Sequence, residues 1–210
     1  MTRVYLVLRA IALASLAFAA PAQAQDHHAS HGSEKLGTVH FTTSCAPAVE
    51  AKMNRAVALL HSFEFGGSIR SFSEVLAADS TCAMAHWGIA LSRWTNPMSA
   101  MNRAPALLAE GRRSADAAAR LADRASERER GYITAVGQLY RDYEHVDQAD
   151  RIANYERAMG DLVAREPADT EAKIFHAIAL VATAPPTDKS YAKQRRAGAR
   201  SWAAPWSDLR

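Results

Sequence analysis

Residues 46–91 read APAVEAKMNRAVALLHSFEFGGSIRSFSEVLAADSTCAMAHWGIAL, and this stretch decides the fold class. Val49, Met53, Ala56, Val57 and Leu60 recur at spacings of three and four, which places them on one face of a helix. Pro47 suits the first turn of that helix, where its missing N–H leaves nothing unpaired. Gly66-Gly67 predicts the stop and the turn. A second stripe follows, Ile69, Phe72, Val75 and Leu76, with Arg70, Ser73 and Glu74 facing outward. Asp79-Ser80-Thr81 breaks this helix and caps a third, which carries Met84, Trp87, Gly88 and Leu91. One helical hairpin hands over to the next.

The rest of the chain repeats the plan more loosely. After a long loop around Asn96-Pro97, a fourth helix is predicted over roughly 104–121 and a fifth opens at a capping box, Ser126 to Glu129. The sixth spans about 149–165, with Ile152, Tyr155, Met159 and Leu162 on one face. Asp169 caps the seventh, and Pro185-Pro186 ends the pattern. No strand-like alternation of useful length appears. The fold class is all-α, and short breaks between paired helices predict a right-handed α-α superhelix of about seven helices over residues 45–191.

The flanks speak of compartment. Residues 1–24 read as a signal peptide: Arg3 and Arg9 lie at or near the start of the apolar run Val4–Ala20, and Ala22-Gln23-Ala24 has the small residues that cleavage requires. The alternative is an uncleaved anchor, but the run is shorter than the roughly 20 residues a span needs. The expectation is export to the periplasm or beyond, with no membrane span after cleavage. Residues 25–44 are predicted as a flexible, exposed, His-rich lead, extended near Val39 and Phe41. Residues 192–210 read as an irregular basic tail, holding five bases, one acid and two tryptophans; its composition shift is what an out-of-frame end or a truncation would give. Formal charge is +3, but residues 25–191 carry 18 bases against 21 acids, so no basic face argues for nucleic acid.

From Ala56, Leu59, Ser68, Phe72, Val75-Leu76 and Asp79-Ser80, the first hairpin resembles the tetratricopeptide repeat family. That family prefers Ala where Ser68 stands and Pro where Ser80 stands. Later units keep Ala83–Leu91, then Tyr155, Ala158 and Pro167 at stretched spacing. More narrowly, the chain is similar to exported bacterial tetratricopeptide-like proteins through Thr43-Ser44-Cys45, the CAMAxWGIA run of Cys82–Ala90, Ser126–Ile133 and Ala182–Ala192. The resemblance covers roughly 38–193 and implies a solenoid that binds a protein or peptide. Similar proteins continue with further hairpins; without them the last one exposes apolar surface, which predicts self-association.

In that fold the first helix of each pair lines the concave face. His61, His86, Trp87, Trp94, Tyr132 and His176 are therefore the expected partner-binding groove. Each of them singly also reads as ordinary packing. His27, His28 and His31, in HHASH, offer neutral imidazoles at close spacing, so the alternative function is a metal-handling accessory protein for copper or zinc. A solvated lead without ligands is the plainer reading of the same residues. Cys45 and Cys82 are an even pair in an exported chain, read either as a disulfide, which we favour, or as two free thiols. No HExxH pair, Gly-rich phosphate loop, nucleophile elbow or CxxC occurs, so no enzyme is expected and no resident cofactor.

Overall fold

Helix starts follow local chemistry. Pro47 opens a short 3-10 turn, Pro47–Val49, that leads into α1 (Glu50–His61), and Pro105 opens α4 (Pro105–Arg120). Ser126 and Glu129 form a reciprocal capping box at α5 (Glu127–Tyr140). The Asp169 side chain accepts from the Ala172 N–H at 3.1 Å to cap α7 (Thr170–Ala182). Between them lie α2 (Phe65–Ala78), α3 (Ala83–Trp94) and α6 (Gln148–Arg165), and α8 (Ala192–Ser201) closes the series. The computed structural model describes residues 36–99 and 101–201. Among these the chain is all-α, with eight helices and no strand.

Each helix packs on its neighbours in sequence, and α3 also touches α1 and α5. Two glycines make this closeness possible. A Cβ at Gly88 would lie 2.2 Å from the Phe72 ring, and one at Gly111 would lie 2.2 Å from Tyr140. At the far end of α3, the Arg103 guanidinium lies 3.9 Å from the Trp94 ring centre and donates to the carbonyls of Trp94 and Asn96. Arg151 reaches the Leu139 and Val146 carbonyls from the same neighbourhood. Both cations thus sit where helix C-termini leave carbonyls unpaired. α1 and α7 also meet: His61 bonds Glu171 at 2.6 Å across 110 residues of sequence and stacks on Phe175.

Three expectations change. Gly66-Gly67 does not end α1; both lie in the first turn of α2, and Ser62–Glu64 makes the turn, with Phe63 at φ 59°. The lead is not wholly exposed, because Phe41 is 1% exposed and belongs to the core. The tail is not irregular from 192 onward. Ala, Lys, Gln and Arg are good helix formers without an apolar stripe, and α8 lays the buried Ala197 against the domain through α7. Lys193 Nζ donates to the Thr183 carbonyl at 2.9 Å and so ties α8 to the end of α7.

Gly88→Ala should lose about 2 kcal/mol in urea unfolding, because the methyl must displace a buried ring. Gly137→Ala, where a Cβ would meet nothing within 4 Å, should gain about 0.5 kcal/mol from helix propensity.

Candidate functional site

Residues 36–45 run without helix or strand, and their side chains enter the domain. Phe41 stacks on Trp87 at 5.3 Å between ring centres, and Tyr132 meets it edge-on at 5.4 Å. Phe175 meets Trp87 edge-on at 5.6 Å. Backbone groups of this strap are matched one by one. Phe41 N–H donates to Asn54 Oδ1 at 2.8 Å, and Arg128 Nη1 donates to the Thr42 carbonyl at 2.9 Å. Ser44 donates to the Glu129 carboxylate through both its N–H and its hydroxyl. Ala46 N–H donates to Asp79 Oδ2 at 2.8 Å, and Cys45 is disulfide-bonded to Cys82.

Arg128 is held over this segment by Asp169. Arg128 Nε donates to Asp169 Oδ2 at 2.6 Å, and the Tyr132 hydroxyl donates to the same oxygen at 2.8 Å. Burial pushes the Asp169 carboxyl up, but Arg128, the Ala172 N–H and Tyr132 more than offset this, so it titrates below the ordinary aspartate value. Burial, with the Asp169 charge close by, pushes the Tyr132 phenol far above its ordinary value. One carboxylate therefore caps α7, orients the cation over Phe41 and anchors a buried tyrosine.

On the other side of Phe175 is an apolar cavity between the inner faces of α1, α3, α5, α6 and α7. Its cavity volume is about 50 Å³, well below the roughly 150 Å³ that takes a benzene ring. That suits one small apolar side chain, not a peptide. Aromatic groups dominate its wall: His61, Phe63, Phe65, Trp94, Tyr155 and Phe175. Phe63 is 51% exposed at the mouth, edge-on to Phe65. Phe63 and Thr95 both take positive φ, 59° and 62°, a backbone region that such residues seldom adopt. Tyr155 is 7% exposed, and its hydroxyl makes no hydrogen bond among the described residues. Burial raises its pKa well above that of a free phenol, so the group is neutral.

The six expected groove residues do not form one open groove. Trp87 and Tyr132 are buried around Phe41, which fills the space a partner was expected to take. Trp94 and His61 line the apolar cavity. His86 sits apart: burial, together with the Arg120 charge, lowers its pKa. His176 is buried against α6, where Nε2 is 3.0 Å from Glu156. The metal candidates His27, His28 and His31 lie outside the described residues. Among the described residues one group has metal-ligand spacing, Cys45, Asp79 and Cys82, and its two sulfurs are joined to each other. Sequence reasoning missed Phe41, Phe63, Phe65 and Thr95. Two phenylalanines flanking Glu64, between two helical stripes, were the available signal.

Reduction of Cys45–Cys82 should lower stability by about 3–4 kcal/mol, given a separation of 37 residues. Asp169→Ala should lose about 3 kcal/mol by stranding Arg128 and the Tyr132 hydroxyl. Because the folded-state pKa of Asp169 is lowered, its contribution is complete above the unfolded aspartate value. It disappears as pH falls through the folded one. Acid unfolding of Asp169→Asn should accordingly be less steep than that of the parent. Compared with known proteins, the chain matches no family model, no curated protein and no solved structure.

Proposed function

We propose that the protein is an exported, tetratricopeptide-like scaffold, its helices stacked as a right-handed superhelix. It binds a partner protein or peptide by seating one apolar side chain in the cavity beside Phe175. The observation that carries this reading is Phe63, half exposed and held on left-handed backbone at the mouth of an apolar cavity. Strained non-glycine residues persist where the surrounding structure over-determines them, and they cluster at ligand sites. Thr95, across the same cavity, repeats the pattern. Neighbour-on-neighbour helix packing supports the superhelix, and the disulfide fits an oxidising compartment. Among the described residues no helix is long and apolar enough to cross a membrane.

The reading places the partner at the cavity rather than along the whole inner face, because Phe41 occupies the middle of that face. Selection from a random peptide library on the folded chain should enrich sequences that share one apolar residue. Phe63→Ala should weaken the selected peptides about tenfold, roughly 1.4 kcal/mol, and leave the melting temperature nearly unchanged because half of that side chain is in solvent. Ala182→Trp, which fills the cavity from α7, should abolish binding. Peptides that bind equally to all three proteins would overturn the proposal.

A further inference from the structure

Three donor atoms converge where the strap meets the start of α3. Cys45 Sγ, Cys82 Sγ and a carboxylate oxygen of Asp79 all lie within 4.8 Å of one another. Each is placed by a different element: Cys45 ends the strap, Asp79 is the C-cap of α2, and Cys82 is the N-cap of α3. The carboxylate is already oriented. Oδ1 accepts from the Thr81 N–H and hydroxyl, at 3.0 and 2.8 Å, and Oδ2 accepts from the Ala46 N–H at 2.8 Å. Oδ2 keeps a further lone pair, and partners of this kind fix the direction of a metal ligand. Beside the sulfurs lies a cavity of about 120 Å³, with Ser44, Thr81, Arg124 and Glu129 in its wall. It is polar and has room for water.

While the sulfurs are bonded to each other they are not metal ligands, so the chemistry depends on redox state. A dithiol reductant breaks the S–S bond: its two thiols pass two electrons and two protons to the pair, leaving Cys45 and Cys82 as thiols and the donor as a disulfide. Two thiolates and a carboxylate suit a borderline-soft tetrahedral ion; magnesium and calcium take oxygen ligands instead. Zinc binds thiolate at about 2.3 Å, so the freed sulfurs need to separate only to about 3.8 Å. The three ligands around Zn²⁺ carry one net negative charge, which the N-terminus of α3 and Arg124 on the cavity wall complement. We propose that the dithiol form of the chain binds one zinc ion through Cys45, Cys82 and Asp79, with the fourth position open to water in the adjoining cavity. Binding sends the two thiol protons to solvent. A disulfide oxidant then removes two electrons from the bound thiolates, re-forms the S–S bond and releases the ion, and is itself reduced to two thiols. The site is thus a zinc site in one redox state and a covalent staple in the other.

The test uses the full chain, either oxidised or reduced with a phosphine that adds no thiol of its own. His27, His28 and His31 are present in both forms, so the difference between them reports this site alone. By calorimetry the reduced chain should bind one zinc ion more than the oxidised chain. Cobalt in its place should show a thiolate-to-metal charge-transfer band and the intense visible bands of four-coordination. Asp79→Asn should weaken zinc binding to the reduced chain at least about tenfold, since even a supporting partner is worth that much. Zinc should raise the melting temperature of the reduced chain and leave that of the oxidised chain unchanged; if reduction alone unfolds the chain, zinc should restore its helix. It should also slow re-formation of the disulfide by oxidised glutathione. If Asp79→Asn fails to fold in its oxidised form, the zinc count and the cobalt spectrum of the parent decide the matter. Equal zinc binding by both forms, cobalt spectra without a thiolate band, a folded Asp79→Asn that binds as tightly as its parent, or a reduced chain that zinc does not stabilise would each overturn the proposal.

Discussion

The face-to-face contact of Phe41 with Trp87 seats an irregular segment in an aromatic cluster that three helices build. Trp87 belongs to α3, Tyr132 to α5 and Phe175 to α7, and Phe41 meets the first two directly. The strap itself has no ladder of its own, so each buried polar group must find a partner on the helices. It does so through Asn54, Arg128, Glu129 and Asp79, three of them charged. Charge-assisted bonds are the strong class, which is why ten residues of irregular chain can hold a fully buried ring in place. Burying that ring contributes on the order of 2 kcal/mol by area, and the pairing of the polar groups keeps that gain.

Two acidic residues do more than one task here, and each links local to tertiary structure. Glu129 is the third residue of a capping box and also the acceptor for both donors of Ser44. Asp169 caps α7 and also fixes Arg128 and Tyr132. Helix starts are thus placed where the strap needs charge. Moving either cap by one residue would release the strap as well as fray a helix.

What the sequence showed follows from what periodicity encodes. Seven helices were readable because an apolar residue every three or four positions fixes a face, and the capping box at Ser126 marked a start. The eighth was missed because α8 is packed through Ala197, too small to make a stripe. Phe41 was missed because its contacts lie up to about ninety residues away on other elements, a distance no local pattern spans. The six groove residues are dispersed for a geometric reason. Adjacent positions on a helix point about 100° apart, so with Trp87 and Phe175 turned inward, His86 and His176 had to face elsewhere. The glycine pair misled because glycine is also tolerated in a first helical turn, whereas the left-handed position went to Phe63.

That last placement bears on function. Glycine at 63 would relieve the backbone at no steric penalty, and glycine or asparagine is the ordinary occupant of such a turn. A phenylalanine there is strained and leaves half its surface in water, two disadvantages for stability, and its ring meets Phe65 edge-on. Both become useful if something enters the cavity: the ring is already outside, already oriented, and costs little further ordering when it covers a guest. Beneath it, Phe175 of the wall packs on Trp87, whose other neighbour is Phe41 of the strap. A filled middle and a strained rim are therefore complementary parts of one arrangement, in which the chain supplies its own aromatic ring at one position and leaves the next one open.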